Sequence, residues 1–271
     1  MGTLIKKFKF QMVLAMLAFL PCRAFAAELK ILFYYPGGQG DQQSAQPILD
    51  AFAEALKRNS GGAIDAKVFY VSDAAQGKQF ILTEKPAAAI LSLDVFMSQG
   101  SAWGAKVIAK TLQLPSGDGT DQYYIMGKKG AALPTSGALA LVSPRAIDAG
   151  FVSGKLFPQL KPLTLTVQPS ENTVGTLRDI GGGKREGFVL LDRFEYTNVS
   201  KLKTPWAAEL AVIAESPKVS SAPFVVFPAN ATPDTLKALE SSLLKLGSDS
   251  AAKENLGNLR LKGFQAATQV E

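Results

Sequence analysis

Apolar residues run almost unbroken through residues 29–35 (Leu-Lys-Ile-Leu-Phe-Tyr-Tyr), the pattern of a strand buried on both faces. Pro36, Gly37, Gly38 and Gly40 stop it with residues that suit a turn. Ile48, Phe52 and Leu56 then recur every four residues, with Ala45, Ala51 and Ala55 beside them, so one apolar stripe predicts a helix. Pro47 sits early in that helix, where its missing N–H costs least. The unit is strand, glycine-rich loop, helix. At the carboxyl end of such a strand a helix N-terminus leaves N–H groups free for a ligand.

The same alternation continues. Strands are predicted over residues 66–71, over residues 87–92 ending near Ser92, and over 106–112, with a short helix over 74–84. Residues 115–121, with Gly117 and Gly119, carry no hydrophobic period, and 122–128 read as a strand leaving the first block. A second block follows, with strands over 139–142, 163–167 and 187–191 and helices over 147–156 and 173–180. Residues 210–214 and 224–227 are strands that carry the chain back. Thr232 caps a last helix, Pro233 takes its first turn, Leu236, Leu239, Leu243 and Leu246 form its stripe, and Gly247 ends it. Strands alternating with helices predict an α/β fold built from βαβ units.

Composition changes the picture at the start of the chain. Lys6, Lys7 and Lys9 precede nine apolar residues, 12–20, and Ala24-Phe25-Ala26 offers a small-x-small cleavage site before Ala27. Nine residues rise only about 14 Å as a helix, short of the roughly 30 Å hydrocarbon core, so residues 1–26 read as an export signal, not an anchor. Cys22 raises a lipid-anchored alternative, but Phe19-Leu20-Pro21 lacks the small residue that modification needs before the cysteine. Removing the segment takes four of the 29 basic residues and no acid, leaving 25 against 23, so the net charge falls from +6 to +2. That balance gives no reason to expect nucleic acid. The 245 remaining residues can bury a core without disulfides.

Histidine is absent. This excludes Ser-His and Cys-His nucleophilic pairs, histidine metal sites and histidine pH switches. With no metal cluster and no paired catalytic carboxylates in view either, an enzyme is not expected, and neither is a cofactor. Without histidine, ligand affinity is expected to stay nearly constant between pH 6 and 8, unless a carboxylate in the cleft is strongly perturbed; Asp148 or Asp192 would be the first suspects.

Tyr34 and Tyr35 end the first strand, and alternate pleat directions send one inward and one toward the mouth, where ring and hydroxyl suit a ligand; core packing is the plain alternative. Ser92 ends the third strand. Asp192 follows a buried run and either holds an ammonium group or pairs with Arg193. Glu171-Asn172 and Arg145 lie on loops, where solvated charge is the simpler reading.

The run Ala222-Pro223-Phe224-Val225-Val226-Phe227, then Thr232-Pro233-Asp234 opening a Leu-rich helix, resembles the ending of the phosphonate-binding family of periplasmic solute-binding proteins. So does Leu259-Arg260-Leu261-Lys262-Gly263-Phe264. The Gln-rich loop with Gln42 and Gln43, and residues 183–192 ending in Asp192, are similar too. The resemblance implies a two-lobed, type 2 periplasmic binding protein fold, α/β with a mixed sheet in each lobe, closing over a small molecule. It implies residues 27–124 as the first part of lobe 1, 125–216 as lobe 2 and 217–271 as the return of lobe 1. It implies a monomer whose partner is an ABC transporter permease, or a membrane sensor if the protein reports on its ligand instead. The largest departure is at residues 143–151. Where phosphonate binders carry Ser/Thr at a helix start that cradles the phosphoryl oxygens, this chain has Ile147, Asp148 and Ala149; a shifted alignment brings Ser143 or Arg145 into play. The expectation is a ligand that is neutral or cationic-headed, with Asp148 or Asp192 holding the positive end.

Overall fold

A computed structural model describes residues 28–38 and 40–267; residues 1–26, expected from sequence to be an export signal, lie outside them, Cys22 included. In chain order the elements are β1 (Leu29–Tyr34), α1 (Gln42–Asn59), β2 (Ala66–Val71), α2 (Ala74–Glu84), β3 (Ala88–Leu91), α3 (Leu93–Gln99) and β4 (Lys106–Gln113). Then come β5 (Thr120–Asp121), β6 (Tyr123–Lys128), β7 (Ala138–Ser143), α4 (Ala149–Phe151), β8 (Thr164–Pro169), α5 (Thr173–Gly181), β9 (Phe188–Asp192), α6 (Arg193–Val199), α7 (Pro205–Ala208) and β10 (Leu210–Glu215). The chain closes with β11 (Val219–Ser220), β12 (Pro223–Val226), α8 (Pro233–Leu246), α9 (Lys253–Asn258) and β13 (Leu261–Ala266).

Two mixed sheets result. The first runs β13-β4-β12-β3-β1-β2 and the second β10-β6-β9-β7-β8. Each has a parallel trio, β3-β1-β2 and β9-β7-β8, extended by antiparallel strands. Residues 210–215 therefore belong to the second sheet, paired with β6. The crossing between lobes is made by β5 and β11, paired Asp121 to Val219 and Thr120 to Ser220.

The apolar run of β1 serves both faces of its sheet. Ile31 and Phe33 join a core under α1, α8 and α9, where Phe33 meets Phe52 edge-on at 5.3 Å and Phe224 meets Phe264 at 5.8 Å. Leu32 and Tyr34 join the opposite core with Ile81, Leu91 and Val225. Such aromatic pairs contribute about 0.5–1.5 kcal/mol each beyond burial. In the second lobe Ile125 and Leu190 face one core, Met126 and Val189 the other.

The caps follow the sequence. Thr232 accepts the Thr235 N–H at the start of α8, whose Leu239, Leu243 and Leu246 are buried. Gly247 ends that helix with a right-handed φ of −65°, so backbone freedom does not explain it. A Cβ on Gly263 would lie 2.8 Å from the Gly247 Cα; the pair lets α8 press against β13. The helix expected over residues 147–156 begins later, because Asp148 is its cap, and after α4 it continues as one π-helical turn, Val152–Leu156.

Candidate functional site

A cavity of about 390 Å³ lies between the lobes. Tyr35, Ser92 and Arg260 line it from the first lobe, Asp121 from the crossing strand, and Tyr123, Arg145, Asp192 and Glu195 from the second. The lobes are closed on each other. The Ala146 N–H donates to the Pro36 carbonyl at 3.1 Å and the Asp148 N–H to Asp94 Oδ2 at 3.2 Å. Arg145 Nη1 sits 3.7 Å from Asp94 Oδ1, and Arg260 reaches across to Glu195 at 3.6 Å with its guanidinium 4.5 Å over the Phe194 ring.

Four of the residues expected from sequence meet in this cavity: Tyr35, Ser92, Arg145 and Asp192. Five do not line it. Tyr34 takes the other pleat direction: its ring packs on α2 and its hydroxyl donates to the Ala74 carbonyl at 2.7 Å. Gln42 accepts the Tyr70 N–H at 2.6 Å and bonds Gln46. Ser143 is buried at the end of β7. Asn172 caps α5 by accepting the Gly175 N–H at 3.1 Å. Asp148 lies outside the cavity lining, at the exposed start of α4, where its Oδ1 accepts the Phe151 N–H at 2.7 Å as the helix cap. Arg145, read from its loop position as a solvated charge, is instead a buried hub, donating through Nη2 to the Tyr123 hydroxyl at 2.7 Å.

Two polar atoms in the cavity wall are buried without a hydrogen-bond partner, Ser92 Oγ and Arg145 Nη1. A buried polar group left unpaired costs about 1–3 kcal/mol, so a ligand that satisfies both gains from positions already formed. Asp192 caps α6 through a capping box: its Oδ1 accepts the Glu195 N–H at 2.9 Å, and Glu195 Oε2 accepts the Asp192 N–H at 3.3 Å. Asp121 Oδ1 accepts the Gln122 N–H at 2.8 Å and the Arg193 N–H at 3.4 Å.

The cleft meets the exception made to a flat pH response, at Asp121 and Glu195 and not at the carboxylates first suspected. Burial, then the Asp192 charge, pushes Asp121 up to about 6. Burial and the same neighbour push Glu195 up to about 7. Burial opposes the Arg145 charge, but Tyr123, Asp94 and Asp192 hold it above its ordinary value. Asp121, Tyr123, Glu195 and Arg260 were not singled out from sequence. A signal existed for one of them: Asp192-Arg193-Phe194-Glu195 has the spacing of a capping box, which ties Glu195 to Asp192.

Two predictions arise here. Tyr34→Phe is expected to lower stability by about 0.5–1.5 kcal/mol, the worth of one hydrogen bond, while leaving ligand affinity unchanged; denaturant titration and calorimetry check both parts. Gly37 has φ +68°, and a Cβ there would lie 2.3 Å from the Ala146 nitrogen across the cleft. Left-handed backbone costs a non-glycine residue roughly 1–2 kcal/mol, and the clash is with main chain that only closure brings near. Gly37→Ala is therefore expected to hold the lobes apart, raising the radius of gyration in X-ray scattering and weakening ligand binding about tenfold or more. An unchanged radius with unchanged affinity would show that the loop yields.

Two mixed α/β sheets, two crossing strands and a closed cleft define the two-lobed binding-protein fold. Among solved structures, a binding protein component of an ABC phosphonate transporter from Pseudomonas aeruginosa, PA3383, superposes with a TM-score of 0.61 at 18% identity, over 89% of this chain and 82% of its own. PhnD1 from Prochlorococcus marinus, solved with methylphosphonate, matches with a TM-score of 0.62 at 14% identity, covering 88% and 92%. XAC2383 from Xanthomonas citri, solved bound to ATP, gives 0.67 at 13% identity, covering 90% and 92%. No protein-family model matches the chain, and no curated protein matches it by sequence. No helix among the described residues is long and apolar enough to cross a membrane.

Proposed function

We propose that this protein is an exported, periplasmic solute-binding protein that captures a small molecule between its lobes and delivers it to an ABC importer. The observation that carries the reading is the interlobe cavity, whose walls come from both lobes and hold two buried polar atoms, Ser92 Oγ and Arg145 Nη1, with no hydrogen-bond partner among the described residues. Closing on a ligand completes such atoms; a purely structural contact between lobes has no reason to leave them open. The likeness to PA3383, a transporter's binding component, supports the same role. Export rests on residues 1–26, with Ala27 as the mature N-terminus and the chain acting as a monomer. The test is small-angle scattering of the refolded, ligand-free protein beside the gently prepared one, with mass spectrometry of what the latter releases. A released small molecule and a more open ligand-free form are expected. Identical scattering curves, with nothing released, would remove the basis for this function. Edman sequencing that begins elsewhere than Ala27, or a lipidated Cys22 peptide, would overturn the export route.

A further inference from the structure

The cavity carries a charge pattern that selects among solutes, and the inference drawn from it rests on the solute-binding reading above. We infer that the ligand is an organic cation with an ammonium or guanidinium group and an apolar body, received by Asp121 and Asp192, and that it carries no phosphoryl group.

Three observations lead there. The first is the imbalance of charge: Asp94, Asp121, Asp192 and Glu195 surround the site against the guanidinium groups of Arg145 and Arg260. Asp94 faces Arg145 and Glu195 faces Arg260, which leaves Asp121 and Asp192 without an ion pair of their own. Each uses Oδ1 for backbone N–H bonds, and Oδ2 has no hydrogen-bond donor among the described residues. Like charges gathered in a closed cleft repel, and a cation between them relieves that repulsion. Among the described residues no group of carboxylates converges tightly enough to hold a metal ion, so the cation is a spread organic one.

The second observation is independent of charge. Ser92 Oγ, on the first-lobe wall, is 1% exposed and has no partner. A hydroxyl there donates or accepts, so it suits an amine's N–H; Arg145 Nη1 only donates, so the ligand also carries an uncharged oxygen acceptor beside its cationic head. Phe33, Ile48, Leu93 and Phe194 supply apolar wall beside it.

The third concerns the loop after β7, where the family resemblance places an anion cradle. Three of its N–H donors are spent inside the protein: the Ala146 N–H on Pro36, the Asp148 N–H on Asp94 and the Phe151 N–H on the Asp148 carboxylate. A phosphoryl group there would displace a carboxylate and lie beside two. Recognition of a phosphoryl group without metal needs several convergent donors, and this loop offers none of those three.

The experiment identifies the molecule released from gently prepared protein. It then titrates the refolded chain at pH 8 with n-butylamine, choline, agmatine and putrescine beside phosphate, methylphosphonate and glutarate. An organic cation in the released fraction, or an amine binding at least tenfold tighter than every anion, is expected. Asp121→Asn and Asp192→Asn should each weaken that binding tenfold or more; asparagine still caps α6, so the second variant keeps its helix. A released anion or neutral molecule, micromolar binding of phosphate or methylphosphonate, or amine binding untouched by both variants overturns the cation assignment and leaves the solute-binding reading standing. An empty preparation with no binding from any compound defeats the solute-binding reading itself.

Discussion

Arg145→Met is expected to lower the melting temperature by about 6–20 °C, the largest effect of any single substitution in the cleft. Asp94 is buried and Arg145 largely so, at 6% and 15% side-chain exposure, and they face each other across the lobes at 3.7 Å. Removing one partner of a buried pair leaves the other charge uncompensated and costs about 3–5 kcal/mol. For a chain of this size each kcal/mol shifts the midpoint by roughly 2–4 °C. The loss is compounded here because Tyr123, Asp192 and Glu195 also lie within the field of Arg145. Methionine fills much of the same volume, so packing is not the main casualty. Adding Asp94→Asn should return part of the loss, and a double-mutant cycle measures how much. A midpoint for Arg145→Met within about 2 °C of the parent would show that Asp94 reaches water once its partner is gone.

The second large effect is on pH. The folded protein holds protons on Asp121 and Glu195 more tightly than the unfolded chain does, their pKa values being raised to about 6 and about 7 from 3.8 and 4.5. Between those limits unfolding releases protons, so stability rises as the pH falls and is lost as it climbs through the folded values. From pH 8 to pH 5 the ligand-free protein should gain on the order of 3 kcal/mol, seen as a midpoint higher by about 6–12 °C. The groups facing the pair are Asp192, Arg145 and Arg260, none of them histidine. Burial is the larger cause for both; Asp192→Asn removes only the repulsion that adds to it and should make the profile shallower. A cation held by these carboxylates should show the opposite trend, binding about tenfold more weakly at pH 5 than at pH 8. Parallel thermal melts at the two pH values, with and without Asp192→Asn, are the check; a midpoint that drops on acidification would contradict the argument.

The strands are legible in the sequence where burial on both faces leaves an apolar run. Residues 29–34, 88–91, 188–192 and 223–226 are of this kind, and each forms a strand close to where its pattern puts it. α3 and α6 are not legible. Each has only seven residues, too few for a repeating stripe, and each follows its strand without a loop: Ser92 alone stands between β3 and α3, and Asp192 both ends β9 and caps α6. β13 is hidden by Gly263 and by a register shift between Leu261 and Gly263 against β4. The site divides along the same line. Tyr35, Ser92 and Asp192 can be read because strand ends point at a cleft in α/β folds. Asp121 and Arg260 cannot, because they meet the rest only when the lobes close, and nothing local in the chain encodes closure; Glu195 is legible only through its capping box with Asp192. Asp148 and Asp192 both cap a helix, but only Asp192 does so on the cavity wall, and a capping pattern in the sequence does not tell the two positions apart.

The interleaved order of the lobes has a consequence for how the chain acquires its structure. The second sheet is drawn from one continuous stretch, residues 123–215, and its pairings can form as soon as that stretch is free. The first sheet cannot be finished so early, because β4 lies between β12 and β13, which follow it by more than a hundred residues. Closing that long loop costs entropy before any contact rewards it, so the first lobe is the slow partner in assembly. Nature has left a reporter in each: the only two tryptophans are Trp103, packed against the first lobe's core, and Trp206, packed against the second's. Refolding followed by their fluorescence should therefore resolve into an early change at Trp206 and a later one at Trp103, with the cleft assembled only in the second.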